Sequence, residues 1–503
     1  MKSQEKHILT GDIKKDGKAF LDLYKDCSDI KHNEVYLGEN HNICCLVFFI
    51  ETTVGNMLVD KTVLSKIIDT LCAMSEKELY EALEKNSFGA VDIAYLTTVE
   101  DTSAAMLTGD AVMMIDGFCR AIKIADNGYP GMGVTETDSE KVIRGSNEGF
   151  SDSVKANIAL VRKRLRTPQM KVLERTAGVR SNTSLSLLYM EGIAPQSVLE
   201  EIDRRLKDFE IDGVMDSGVI EQLSEKKWLS PFPQFQTTLR PDRAAMSLLE
   251  GRVVVLCDNS PVALILPTDY NSFIQTSDDY YNRFEIASLG RMIRYAASFL
   301  AMVLPGLYLA VTNFHTQILP TTLILSFAAA RQGVPFPVVV EVLLMEISFE
   351  LLREAGVRLP GAMGNTIGIV GGLIIGQAAV EANIVSPVVV IVIAFTALCS
   401  FAIPNEEFAS AFRLLKFFFI LMCAWLGFFG FLVSLLVVLI HLAGLRSFGI
   451  PYLMPFVGAD LTGYHDERDS LLKMPVFFLH KRPIFASRKN KTRLRRNKKD
   501  VCK

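Results

Sequence analysis

Three glutamates, Glu346, Glu350 and Glu354, recur at every fourth position of "VVVEVLLMEISFELLREAG", the run from Val338 to Gly356 in the most apolar half of the chain. At about 100° per residue they fall within about 80° of one another on a helix, while Glu341 stands apart. Pro337, just before the run, is a natural start for that helix. A charge facing lipid costs at least roughly 2.5 kcal/mol, so the stripe must face something polar. Two readings meet this requirement. Either the helix lies on a membrane surface with its carboxylates in water, or the stripe lines an aqueous vestibule where glutamates from several subunits attract cations.

A second pattern follows directly. In "GNTIGIVGGLIIGQAAV", Gly364, Gly368, Gly372 and Gly376 form an every-fourth-residue ladder. It strips side chains from one helix face and lets another helix approach closely. The same smooth face could instead line a narrow pore or a sliding contact, with Asn365, Thr366, Gln377 and Glu381 as its polar companions.

No catalytic pattern accompanies these. The chain has no G-x-S-x-G elbow, no P-loop and no H-E-x-x-H, and its seven histidines are isolated. No catalytic, cofactor-binding or metal-binding residue is assigned, and the expectation is a protein that is not an enzyme. "GYPGMGV", with Gly128, Gly131 and Gly133, has the look of a nucleotide loop but lacks a strand before it and a helix after it, so it reads as a turn. Nine cysteines, an odd number with no C-x-x-C pair, read as reduced packing thiols.

The elements that must position these residues divide the 503-residue chain in two. Up to about Arg294 charged and apolar residues alternate as in a soluble protein, whereas Tyr295 to Ala330 contains no Asp, Glu, Lys or Arg. The first thirty residues are polar and carry no secretory signal, which keeps the N-terminal region in the cytoplasm. The expected fold is an α/β cytoplasmic N-terminal region of two subdomains, followed by an all-α polytopic membrane domain. Residues 1–32 read as a mobile arm, 33–146 and 147–285 as the subdomains, 286–456 as the membrane domain and 457–503 as a basic cytoplasmic tail. No internal repeat is visible.

Within the membrane domain, Tyr295–Phe314 and Met363–Val385 are long enough to cross, Val388–Ile403 is short, and Phe417–Leu442 is a strong single span. Ile318–Ala330 looks re-entrant or interfacial. Basic flanks put both ends in the cytoplasm, since the tail after Leu461 holds thirteen Lys or Arg against four Asp or Glu. Four spans plus one re-entrant unit satisfy this but leave Arg331, Arg353, Arg358, Arg413 and Lys416 on the unfavoured side; five spans are the alternative.

Several stretches carry a resemblance. "RGSNEGF", "NIALVRKRLR", "PFPQFQTTLRPDRAAMSLLEGRVVVLCDNSPVALILPT", "PGLYLAVTNFH", "MEISFELLREAGVRLP" and "GNTIGIVGGLIIGQAAVEANIVSP" are similar, in this order, to the A subunit of the GerA family of bacterial spore-germinant receptors. The resemblance spans about residues 140 to 450. Asn259 stands where the family has Gly in a "D-G-S/T-P" turn, and Gly364-Asn365 replaces a commoner Gly-Gln. A stage V sporulation paralogue shares most of these motifs. The resemblance implies a spore inner-membrane protein that triggers germination with a permease-like B subunit and a lipoprotein C subunit. It further implies a homo-oligomeric, nutrient-gated cation channel with no cofactor and no nucleic-acid partner. A non-conducting membrane scaffold is the competing class; a transporter fits less well because no repeated halves are seen.

Overall fold

The computed structural model describes residues 7–51, 63–85, 93–124, 140, 142, 144–357, 362–457, 469–487 and 490–494. The glycines of "GYPGMGV" lie outside them. Contacts divide the chain into an α/β unit (residues 1–225, 235–267 and 480–503) and a helical unit (226–234 and 268–479).

The α/β unit contains one plan twice. The first copy runs α1 (Ile13–Leu23), β1 (Ile30–Leu37), β2 (Ile43–Ile50), α2 (Val63–Cys72), α3 (Glu76–Lys85), β3 (Ile93–Leu96), α4 (Val99–Leu107), β4 (Ala111–Ile115) and β5 (Ala121–Ile124). The second runs α5 (Val154–Arg164), β6 (Met170–Ala177), β7 (Thr183–Met190), α6 (Gln196–Lys207), α7 (Ser217–Ser224), β8 (Gln236–Thr238), α8 (Pro241–Leu249), β9 (Val253–Cys257) and β10 (Ala263–Leu266). The sheets are ordered β1-β2-β4-β5-β3 and β6-β7-β9-β10-β8, which is the same arrangement. All the pairs are antiparallel.

Details repeat as well. Asp116, in the β4–β5 turn, accepts the Ile13 amide at the start of α1 at 3.3 Å, and Asp258, in the β9–β10 turn, accepts the Val154 amide at the start of α5 at 3.1 Å. Buried Asp16 and Asn157 each accept, at 2.8 Å, the amide six residues before them. The residue after each turn aspartate has positive φ, Gly117 at 77° and Asn259 at 65°, and Asn is among the few side chains that tolerate this conformation. The expectation of no internal repeat is thus corrected: the repeat lies in topology and caps rather than in recognisable sequence.

The mobile arm is also corrected for residues 13–23. Asp12 caps α1 by accepting the amides of Lys14 and Lys15, and Phe20 on its inner face is fully buried with Phe48 and Tyr24. Burying such a ring contributes roughly 1.5–3 kcal/mol, enough to hold a polar segment that has one apolar stripe. The two copies are joined at Asp29 and Arg162, both buried. Arg162 donates to the two carboxylate oxygens at 2.9 and 2.8 Å and to the carbonyls of Thr167 and Met170 at 3.2 and 2.9 Å.

The basic tail, read as one segment from 457, is folded at 480–487. Phe485 and Ala486 are buried, Arg482 donates to the Leu249 carbonyl at 2.9 Å, and the Ser487 amide donates to Ile193 at 2.7 Å. A Cβ on Gly251 would lie 2.7 Å from the Ala486 backbone, so the segment seats where only glycine leaves room. The second subdomain ends near Pro267 rather than at 285, because Thr268 and the residues after it pack with the helices.

The helical unit contains α9 (Tyr270–Ile274), α10 (Ser277–Tyr281), α11 (Phe284–Asn313), α12 (Thr321–Ala330), α13 (Val338–Val357), α14 (Ala362–Glu381), α15 (Pro387–Phe401) and α16 (Glu406–Gly444). Among the described residues, α11 and α16 are long and apolar enough to cross a membrane. The reading of Phe417–Leu442 as one straight span fails at Gly427, whose φ of 61° and ψ of −137° are not helical. Phe232 lies against Phe408 and Phe412 at 5.9 and 5.7 Å and against His441 at 6.2 Å. A straight helix would hold residues 408 and 441 about 50 Å apart. Phe419 and Phe431 also meet, at 6.0 Å. Helix α16 is therefore a hairpin of two antiparallel arms. A Cβ on Gly427 would stand 2.8 Å from the Phe314 ring, which explains why glycine forms the tip.

Candidate functional site: a ladder of ion pairs between two helices

Helix α13 starts where Pro337 accepts the amides of Val340 and Glu341, and the first arm of α16 starts where Asn405 caps Phe408 at 2.9 Å. The two run antiparallel, because partners advance along one as they retreat along the other. Glu346 pairs with Lys416, Glu350 with Arg413 at 3.0 Å, and Arg353 with Glu406 at 3.1 Å. Exposure of the carboxylate side chains rises along the ladder from 2% at Glu346 to 41% at Glu350 and 72% at Glu406. The inner rung is incompletely satisfied, since Glu346 Oε1 has no hydrogen-bond partner among the described residues.

Glu341, set apart on the helix, is buried differently. It accepts the Ser386 amide at 2.8 Å, at the start of α15, and Arg331 Nε stands 3.4 Å away. Burial of two such carboxylates in an apolar bundle requires opposite charge or amide donors nearby.

The expected stripe therefore meets neither of its two readings as stated. Glu346 lies neither in surface water nor in an open vestibule, because a lysine seventy residues on covers it. Glu350 is partly exposed and paired, and Glu354 is exposed at the outer end. The sequence reading missed Lys416, Arg413, Arg353, Glu406 and Ser386 as parts of the site. The signal was present: Arg353, Arg413 and Lys416, basic residues on the unfavoured side of the expected topology, need carboxylate partners.

The glycine ladder packs against its neighbours where its surroundings are described. A Cβ on Gly372 would meet the Phe349 ring at 3.1 Å, and one on Gly376 would meet Val390 at 3.1 Å. Gly364 and Gly368 are within α14, but their surroundings lie outside the described residues. Leu352 against Gly371 and Phe349 against Gly372 run α14 antiparallel to α13, and Val390 against Gly376 turns α15 back again. Cys399 of α15 then joins Ala297 and Ala301 of α11. Helix α11 runs parallel to the first arm of α16, since a Cβ on Gly306 would touch the Phe419 carbonyl at 3.0 Å while Tyr270 bridges Tyr295 and Phe408 at 6.0 and 5.1 Å. The ladder thus sits in the half of the bundle where α11 and the first arm begin.

Chemically, this arrangement holds opposite charges across a helix contact. Among the described residues no group of His, Cys, Asp or Glu is arranged to hold a metal.

Comparison with known proteins gives the following. The family described as Bacillus/Clostridium GerA spore germination protein matches residues 18–485. Spore germination protein KA of Bacillus subtilis is 36% identical over 467 residues, covering 93% of this chain and 85% of that protein. Spore germination protein GerLA of Bacillus cereus is 36% identical over 488 residues, covering 96% and 97%. The membrane protein YfkQ of Bacillus subtilis is 37% identical over 468 residues, covering 93% and 90%. The crystal structure of the N-terminal domain of the A subunit of the Bacillus megaterium spore germinant receptor GerK3 aligns at a TM-score of 0.41 and 26% identity, covering 52% of this chain and 98% of that one.

Proposed function

The chain belongs to the GerA family of Bacillus/Clostridium spore germination proteins, and on that premise we propose that it is the A subunit of a nutrient germinant receptor in the spore inner membrane. It acts with a permease-like B subunit and a lipoprotein C subunit, assembles as a homo-oligomer, and opens a cation path when nutrient is sensed. Both ends are cytoplasmic.

The ion-pair ladder carries the channel reading. Charges in a membrane bundle mark ion pathways or the contacts that control them. With Glu346 and Glu350 neutralised inside one chain, the path is closed, and parting α13 from the first arm of α16 exposes carboxylates that attract cations. The helix directions support six passes: α11, α13, α14, α15 and the two arms of α16. An even number agrees with a C-terminal segment folded into the same unit as the N-terminal subdomains. Six passes also reduce the difficulty of the four-span count, because Arg353, Arg413 and Lys416 now lie toward the side where both ends emerge, while Arg331 stays opposite, beside Glu341.

The test is ion flux from the full-length protein, purified with its B and C partners and reconstituted in vesicles. Nutrient-dependent cation flux above that of protein-free vesicles, with selectivity altered in Glu346→Gln, supports the channel. Vesicles that stay tight under every nutrient mixture able to germinate the parent spores leave a signalling scaffold instead.

A further inference from the structure

The chain has two tryptophans. Tryptophan is on average a well-buried residue in folded proteins, yet here Trp228 is 75% exposed and Trp425 is 78% exposed. They stand at opposite ends of the second arm of α16. Trp425 is two residues before the tip at Gly427. Trp228 is in the loop "KKWLS", which is fixed to the other end: Lys227 Nζ donates to the Gly444 carbonyl at 2.7 Å, Ser230 Oγ and His441 Nε2 lie 2.8 Å apart, and Phe232 is buried against His441. At about 1.5 Å per residue the arm from Phe428 to Gly444 is roughly 25 Å long, close to the hydrocarbon thickness of a bilayer, about 30 Å. The arm's outward side chains between them, Leu432, Leu436, Leu439 and Ile440, are apolar and exposed.

We propose that Trp228 and Leu229 form an anchor that enters the lipid headgroup layer on one face of the membrane, with Trp425 marking the opposite face. This rests on the reading that the helical unit spans a bilayer. The occupant is lipid rather than protein for two reasons. The loop adjoins the end of the apolar arm through Lys227 and Gly444, and Lys227 and Arg446 there are exposed cations suited to anionic headgroups. An indole on a rim between apolar and wet surroundings is in its preferred place. Leu229 beside it is 78% exposed, so two large apolar side chains stand together at this rim. Because Lys227 and Ser230 hold the loop to α16, the anchor fixes the height of that helix in the membrane and resists its sliding.

The test uses single-tryptophan forms of the full-length protein, Trp228→Phe and Trp425→Phe, in vesicles of phosphatidylcholine and phosphatidylglycerol. Fluorescence is quenched by a nitroxide placed near the headgroup, by one deep in the acyl chain, or by iodide in the water. For both remaining tryptophans the shallow nitroxide should quench about twofold more than the deep one, as for an indole at headgroup level. If Trp228 responds to iodide and to neither nitroxide while Trp425 follows the shallow one, the anchor is overturned and the membrane reading stands. If Trp228 is shielded from all three quenchers while Trp425 follows the shallow nitroxide, a protein surface covers the loop and the anchor is again overturned. If neither tryptophan responds to either nitroxide, the membrane reading itself fails.

Discussion

Two of the buried ion pairs, one in each unit, are built differently. Asp29 and Arg162 share two parallel hydrogen bonds, and the remaining guanidinium nitrogen is taken by two carbonyls. Glu346 and Lys416 share one contact, and the second carboxylate oxygen has no hydrogen-bond partner among the described residues. Desolvation is repaid in full only when geometry and extra hydrogen bonds are good. The first pair is a fixed joint between two copies of one plan. The second holds its charges with little surplus, which suits the parting of helices proposed above.

The largest effect should come from breaking the fixed joint. Asp29→Ala leaves a buried guanidinium without its anion and should destabilise the α/β unit by about 3–5 kcal/mol. Amide hydrogen exchange in β1 and β6 of the full-length protein measures it. A loss too small to alter exchange in either strand would dissolve the contrast.

Next is the loose pair. Glu346→Gln and Lys416→Met should each lower the unfolding temperature in detergent, whereas the double variant should recover most of the loss, with a coupling of about 0.5–3 kcal/mol. Strict additivity of the two single effects would mean that the pair contributes nothing as a pair.

Smaller still is the next rung. Glu350 is partly in solvent, so Glu350→Gln should change stability by about 0–1 kcal/mol. Equal losses at positions 346 and 350 would show that the gradient of burial along the ladder has no energetic counterpart.

The smallest effect concerns acid. Burial alone would raise the Glu148 carboxyl, but hydrogen bonds from Lys163 and Arg164 at 2.6 and 2.5 Å outweigh it and hold the group below the usual carboxylate range. A depressed folded-state value contributes stability above the ordinary carboxylate range, and that contribution disappears as pH falls through the folded value. The wild-type unfolding temperature should therefore fall slightly more on acidification than that of Glu148→Gln. Parallel curves would show that this half-buried carboxylate carries no pH-linked stability.

The legibility of the sequence followed the range of each interaction. The α/β character before about Arg294 and the uncharged stretch from Tyr295 to Ala330 were visible because composition and apolar pattern are local. The duplicated plan was not, because what the copies share is strand order and single capping positions, Asp116 with Asp258 and Asp16 with Asn157, across otherwise unlike residues. The glutamate stripe was legible at Glu346, Glu350 and Glu354, but its meaning depended on Lys416 and Arg413, more than sixty residues away. The hairpin was hidden for a simpler reason: an uncharged run reads as one span whether or not a single glycine reverses it, and hydropathy carries no direction.

The seating of Phe485 and Ala486 beside Gly251 has a consequence for how the protein is made. The strands of the second subdomain leave the ribosome long before the segment that covers them, and helices α11 to α16 are synthesised in between. A chain that stops early, or whose helices fail to insert, leaves the Gly251 cleft open and its neighbouring apolar side chains accessible to chaperones and proteases. Closure of that cleft by Phe485 and Ala486 is thus a mark, carried on the α/β unit itself, that the helices encoded before them have been made.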